Sequence, residues 1–222
     1  MHRAQSTTQS PFRMVVFDFD GTLVDTMQSF ADVAADVMAS RYSVHFEWAR
    51  RRYLETSGIP FFQQLEEIFP NNNGNSDAAE EFERRKLEGF FSEKFDADVR
   101  GALAALQSKG YKIAVSSNNF QHLLDKFVST EDVQFDMVLG CRDNFFKGHD
   151  HFNAIKQKLG VGAHEILFVG DSLMDAQRAT ESGVRFVGRT GTFTSQSFKK
   201  AYPGIPTVDK LSDLHGIIDT CF

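Results

Sequence analysis

The chain runs to 222 residues, 41% of them apolar and 13% aromatic, which is longer than the roughly 150 residues of a usual domain and too apolar for a disordered protein. Its net charge of −6 excludes the broadly basic surface that general nucleic-acid binding needs. No apolar run approaches the roughly 20 residues of a bilayer span, and two cysteines, Cys141 and Cys221, without CxxC spacing, exclude a disulfide scaffold and a zinc or redox site of that kind.

Residues 1–11 are polar, lack the apolar stretch of a signal peptide, and read as the flexible leader of a cytoplasmic protein. The run FRMVVF at 12–17 has the length and β-branched content of a strand buried on both faces. It stops at DFDGT. From Thr26 the period changes, and Phe30, Val33, Ala34, Val37 and Met38 form the stripe of an amphipathic helix. Helices are predicted next over 45–57, with Gly58 as the stop, and over 60–69, with Pro60 at the first helical position. After the polar loop PNNNGNS at 70–76, Asp77 and Glu80 make a capping box for a helix running to about residue 95.

Beyond Asp96 the texture becomes alternation. Helices are expected over 99–109, 120–128, 149–159 and 173–182, and strands over 112–116, 136–139, 166–169 and 185–187. That is a parallel α/β pattern, a Rossmann-like sheet. Because the first strand has the same buried character, it belongs in the same sheet. The expected organisation is a leader at 1–11, an α/β catalytic core at 12–25 and 97–222, and an inserted α-helical cap at 26–96, the two lobes facing each other across a cleft. Most of the 23 phenylalanines are read as packing.

In an open parallel sheet, ligands bind beyond the carboxyl ends of the strands. Asp18 and Asp20 follow the first strand, and period-two geometry points both the same way if the strand stays extended. Two such charges about 4 Å apart repel by something like 4 kcal/mol at an effective dielectric near 20. A cation would resolve the repulsion. Other strand ends bring Ser116, Ser117 and Asn118, then Asp171 and Asp175, and Lys147 at the same rim. Carboxylates, a hydroxyl and one lysine at successive strand ends describe a site for a metal-bound phosphoryl group, with an all-oxygen shell of the kind Mg²⁺ prefers. Strand register favours Ser117 over Ser116.

DFDGTLVD at 18–25, Ser117 after an apolar strand, Lys147, and GDSLMD at 170–175 together resemble the four motifs of the haloacid dehalogenase superfamily. The helical insertion after the first motif is similar to the subgroup of phosphoglycolate phosphatases and β-phosphoglucomutases. The resemblance implies Asp18 as nucleophile and Asp20 as general acid and then base. It implies Ser117, Asn118 and Lys147 around the phosphate, and Mg²⁺ on Asp18, Asp171 and the main-chain carbonyl of Asp20, with Asp175 orienting a metal-bound water or Lys147. The implied activity is Mg²⁺-dependent hydrolysis of a small phosphorylated metabolite through an aspartyl-phosphate, with no nucleic-acid or membrane partner and an oligomeric state left open. One departure is Gly148, where such families usually place a proline after the lysine.

Asp20 favours phosphate chemistry over dehalogenation, and Thr22, where the mutases commonly carry a bulkier residue, favours hydrolysis over a phosphosugar mutase. A phosphate-sensing module without catalysis is the alternative from another class, and it would have no use for Asp20. The HDH run at 149–151 reads as a solvated helix start rather than a metal site, and Arg50, Arg51 and Arg52 as the wet face of a helix. Cys141 lacks the arginine six positions on that a cysteine phosphatase needs, and GVGAHE at 160–165 lacks the third glycine of a dinucleotide loop.

Overall fold

Met14–Phe17, four consecutive apolar residues, form β1, and all four are fully buried. The computed structural model describes residues 12–91 and 93–222, so the expected leader at 1–11 lies outside the described residues. β1 pairs in parallel with Lys112–Phe120 (β2) on one side and Ile166–Gly170 (β4) on the other. Met137–Cys141 (β3) flanks β2, while Arg185–Arg189 (β5) and the two-residue Thr207–Val208 (β6) extend the other edge. Among the described residues this gives one six-stranded sheet in the order β3-β2-β1-β4-β5-β6, with every pairing parallel. The fold is α/β and Rossmann-like. The chain leaves β1 toward β3 and then returns to β4, so the strand order reverses beside β1, where such sheets bind ligands.

Register sets the site. Phe17 lies level with Val115 and Val169, so the next residues, Asp18, Ser116 and Gly170, emerge together at the carboxyl edge. The Asp18 N–H donates to the Val169 carbonyl at 2.8 Å, which locks that alignment one residue past the strand.

Between β1 and β2 come Met27–Tyr42 (α1), Phe46–Glu55 (α2), Phe61–Ile68 (α3), Asn75–Phe90 (α4) and Ala97–Ser108 (α5). α1 packs on α2 and α4, and α3 on α4. Strand alternation divides the core. Val15, Phe17, Ile113, Val115, Leu167 and Val169 face a layer shared by α5 and the four preceding helices. Met14, Val16, Ala114, Ile166 and Phe168 face the layer containing His149–Leu159 (α7) and Leu173–Glu181 (α8). The first layer continues into the insert through Phe19, whose ring lies 5.6 Å from Phe90 and 4.9 Å from Phe127 of Gln121–Val128 (α6).

Several boundaries differ from the sequence pattern. α4 starts at Asn75, before the Asp77 and Glu80 capping box, because the buried Asn75 amide is tied to Glu66 at 2.6 Å and to the Phe69 carbonyl at 2.9 Å. It stops at Phe90 rather than near 95, and Asp96 caps α5 by accepting from the Val99 N–H at 2.7 Å. β6, Ser195–Ala201 (α9) and Leu214–Cys221 (α10) were not anticipated. At two, seven and eight residues they are too short to show a hydrophobic period. Among the described residues, no helix is long and apolar enough to cross a membrane.

Because Phe127 touches Phe19, Phe90 and Phe95 at once, Phe127→Ala is expected to cost about 3–5 kcal/mol by the usual cavity penalty. Urea denaturation followed by fluorescence and circular dichroism should show one shared transition moved to lower urea. A natural chain that already unfolds in two separated transitions would mean that the phenylalanine cluster does not couple insert and sheet.

Candidate active site

Asp18 leaves β1 into a tight turn in which the Phe19 carbonyl accepts from the N–H groups of Thr22, Leu23 and Val24. Gly21 takes a left-handed φ of +76° there, and a Cβ at this position would overlap the Asp171 carboxylate. The turn therefore needs glycine twice, once for its backbone and once for the approach of Asp171.

Asp18, Ser117 and Asp171 lie near or just past strand ends, whereas Lys147 comes from the loop before α7 and Asp175 from the first turn of α8. Lys147 bridges two carboxylates, its Nζ lying 2.7 Å from Asp18 Oδ1 and 2.6 Å from Asp175 Oδ1. Asp175 sits in the first turn of α8, where the Ser172 hydroxyl donates to its Oδ2 at 2.8 Å and accepts from its N–H at 3.0 Å. Asp171 accepts a hydrogen bond from Thr192. The Ser117 hydroxyl is buried and accepts from the Asn119 N–H at 3.0 Å. The strand pleat sends Ser116 to the opposite face, where its hydroxyl meets His151 Nδ1 at 2.8 Å.

Asp20 stands apart from the other carboxylates. Thr26 donates to its Oδ1 at 2.8 Å and Asn119 to its Oδ2 at 2.7 Å. The Asp20 side chain is therefore not a member of the buried acidic group. The Asn118 amide donates to the Gly58 carbonyl at 3.1 Å, turned toward the insert.

Asp18, Asp171 and Asp175 are all buried and offer carboxylate oxygens within 4.8 Å of one another. Burial holds the Asp18 carboxyl well above its usual range; Lys147 opposes this, while Asp175 and Asp171 add to it. The Asp171 carboxyl is pushed up to about 6, first by burial and then by Asp175, against the hydrogen bond from Thr192. Burial alone would lower the Lys147 ammonium, but Asp175 and Asp18 leave it above its ordinary value. Lys147, with Arg178 3.7 Å from Asp175, stands against three buried carboxylates, which leaves an excess of negative charge on hard oxygen donors, and that donor set fits a divalent cation.

The lysine reaches this position despite the glycine that follows it. Gly148 has φ +108°, a conformation closed to proline, whose φ is fixed near −65°. His151 corrects the expectation of a solvated helix start. It is fully buried, ringed by Phe145 at 4.7 Å, and held down to a pKa of about 3 by burial and then by Lys147. Of the three arginines read as the wet face of a helix, Arg51 and Arg52 pair with Glu55 on their own helix, at 3.8 and 2.8 Å, whereas Arg50 reaches across to Asp32 of α1 at 2.6 Å.

Asp18, Asp20, Ser117, Asn118, Lys147 and Asp171 line one cavity of about 100 Å³. The insert closes it with Phe30, Tyr53, Phe61 and Phe82, together with the turn at 57–60 and Lys86. Lys86 donates to Asn119 Oδ1 at 2.7 Å, which fixes the amide so that its NH₂ faces Asp20. Thr26, Asn119, Thr192 and Lys86 escaped the sequence reading. Only Asn119, two residues past Ser117, carried a local signal.

The family model described as haloacid dehalogenase-like hydrolase matches residues 15–189. A Dickeya dadantii protein named "Probable phosphatase IndB" is 30% identical over 220 residues, covering 91% of this chain and 92% of its own length. A phosphoglycolate phosphatase of Escherichia coli is 28% identical over 216 residues, covering 80% and 81%. Among solved structures, a haloacid dehalogenase-like family hydrolase from Streptococcus pneumoniae superposes with a TM-score of 0.76 at 17% identity, covering 93% of this chain and 98% of that one. CbbY from Rhodobacter sphaeroides, solved in complex with phosphate, gives 0.70 at 15% identity, covering 91% and 96%. At these identities the solved structures speak for the fold alone.

The raised Asp171 carboxyl carries a sign. The native state keeps a proton that the unfolded chain releases near its ordinary value of 3.8, so the stability this lends is complete below that pH and lost as pH rises through about 6. In EDTA, the Tm of the natural chain should fall relative to Asp171→Asn between about pH 4 and about pH 7. Adding Mg²⁺ at pH 8 should raise the Tm of the natural chain more than that of the variant. Parallel Tm profiles with and without the cation would contradict this electrostatic account.

Proposed function

The chain belongs to the haloacid dehalogenase-like hydrolase family, and on that premise we propose that it is a Mg²⁺-dependent phosphatase of a small phosphorylated metabolite. The observation that carries this reading is the division of labour in one cavity. Asp18 lies in a buried acidic group against Lys147, while Asp20, two residues on, is held separately by Thr26 and Asn119. The named relatives support the phosphomonoester class. The small cavity supports a small leaving group.

In this reading an Asp18 carboxylate oxygen attacks phosphorus, the P–O bond to the leaving alcohol breaks, and Asp20 delivers a proton to the departing oxygen. In the second step Asp20 takes a proton from a water whose oxygen attacks phosphorus, the P–O bond to Asp18 breaks, and inorganic phosphate and the free Asp18 carboxylate are released. Ser117, Asn118 and Lys147 hold the non-bridging oxygens, and Asp175 keeps Lys147 in place. Asp18, Asp171 and the Asp20 carbonyl would hold Mg²⁺, which when bound supplies positive charge to the phosphoryl group and offsets the carboxylates. Residues 26–96 serve as the cap that excludes water and selects substrate over a core of residues 12–25 and 97–222. The protein works as a cytoplasmic enzyme. A pure phosphate sensor would not need an acid–base carboxylate positioned as Asp20 is.

Asp18→Asn should lower phosphate release from an aryl phosphate by at least about a thousandfold, and EDTA should abolish release from the natural chain. Supplied with a β-hexose monophosphate, the protein should yield free phosphate and no isomer. Full activity of Asp18→Asn removes the mechanism, and absence of release under every metal condition removes the enzyme.

A further inference from the structure

The turn that leads from α2 into α3 is drawn into the site by its backbone. Gly58 has φ +100°, and a Cβ there would stand 2.7 Å from Met174 Cβ, so the turn lies flat on the start of α8. Its carbonyl accepts two hydrogen bonds from the sheet side, from Asn118 Nδ2 at 3.1 Å and from Arg178 Nη1 at 2.7 Å. Arg178 belongs to α8, and its side chain is only 16% exposed. The same Nη1 lies 3.7 Å from Asp175 Oδ1, the oxygen that Lys147 holds at 2.6 Å.

Space for this arginine comes from the residue after the lysine. A Cβ on Gly148 would stand 3.0 Å from Arg178 Cδ and 3.2 Å from its Cγ. The positive φ of Gly148 and the path of the Arg178 side chain are therefore one packing arrangement. A planar guanidinium suits the position, since it can donate to a carbonyl along one N–H while staying beside a carboxylate, which an ammonium on a flexible stem does less well.

We propose that Arg178 is a positioning residue that latches the Gly58 turn of the insert over the cavity and links that latch, through Asp175, to Lys147. With the turn seated, the guanidinium is shared between the Gly58 carbonyl and Asp175. With the turn lifted, its nearest acceptor is Asp175, in competition with Lys147. Seating of the turn, which supplies Ser57, Gly58, Ile59 and Pro60 to the cavity wall, and the placement of Lys147 are thereby coupled. The consequence for turnover rests on the phosphatase reading above; the latch itself does not.

The test uses the full chain with Arg178→Ala, Arg178→Gln and Arg178→Lys. Hydrogen exchange of the peptide spanning residues 53–65 should quicken at least about tenfold in Arg178→Ala, the scale expected for losing one charged hydrogen bond, while peptides of β1 and β4 keep their protection. In phosphatase assays kcat/KM should fall about tenfold with most of the loss in KM, because seating of the turn accompanies substrate binding. Arg178→Lys should recover part of both losses. Arg178→Gln, whose uncharged amide ends two bonds short of the Nη1 position and so loses the bond to the Gly58 carbonyl, decides the question if the alanine variant does not fold. Unchanged exchange at 53–65 in a folded Arg178→Ala or Arg178→Gln variant overturns the latch. If the natural chain releases no phosphate from any monoester, the functional reading fails while the exchange result still decides the latch.

Discussion

Three carboxylates, Asp18, Asp171 and Asp175, are kept out of water and close together with one ammonium group between two of them. Left to itself such a group would take up protons or spread apart, since desolvation and mutual repulsion both oppose its charge. It stays together because every member is tied to rigid backbone. Asp18 is bonded to β4 through its own N–H, Asp175 is caught in the N-terminal cap of α8, and Asp171 follows the fully buried strand β4. The glycine at position 21 lets the first turn come down onto Asp171. The sheet spends stability here to hold a charge pattern that a cation can relax.

The insert bears on the same group from above. Its apolar interior runs into the sheet layer through Phe19, Phe90 and Phe127, while its polar contacts concentrate at the cavity mouth. Lys86 orients Asn119, and Asn119 orients Asp20. The Gly58 carbonyl is met by Asn118 and Arg178. Apolar packing thus makes the insert part of one folded unit, and a handful of directional bonds decides how it meets the catalytic edge. The cavity enclosed between them has aromatic walls and a charged floor, a division that the proposed small phosphate ester would use at its two ends.

Legibility from sequence followed the range of the forces involved. β1, β4, α7 and α8 announced themselves through unbroken apolar runs or a clear 3.6-residue period, and α7 runs over His149–Leu159 as its pattern predicts. The start of α4 did not, because the buried side chain of Asn75, bonded to Glu66 and Tyr42, overrode a better local cap. His151 looked like a solvated residue because nothing near it in sequence reveals Ser116 and Phe145. Gly148 looked like an irregularity after the lysine, and its φ of +108° and its close approach to Arg178, thirty residues away, became visible only in the fold.

By itself the sequence determined the parallel α/β architecture, the position of the helical insertion and the set of strand ends that carry Asp18, Asp20, Ser117, Lys147 and Asp171. These follow from local periodicity and from the rule that parallel sheets present ligand sites at their carboxyl edges. Tertiary structure alone decided that Asp175, rather than the side chain of Asp20, completes the buried acidic group, that Asn119 and Thr26 hold Asp20, and that the Gly58 turn is seated by Arg178. Those are contacts between residues as much as 120 positions apart. They depend on register and side-chain direction after folding, which no local pattern encodes.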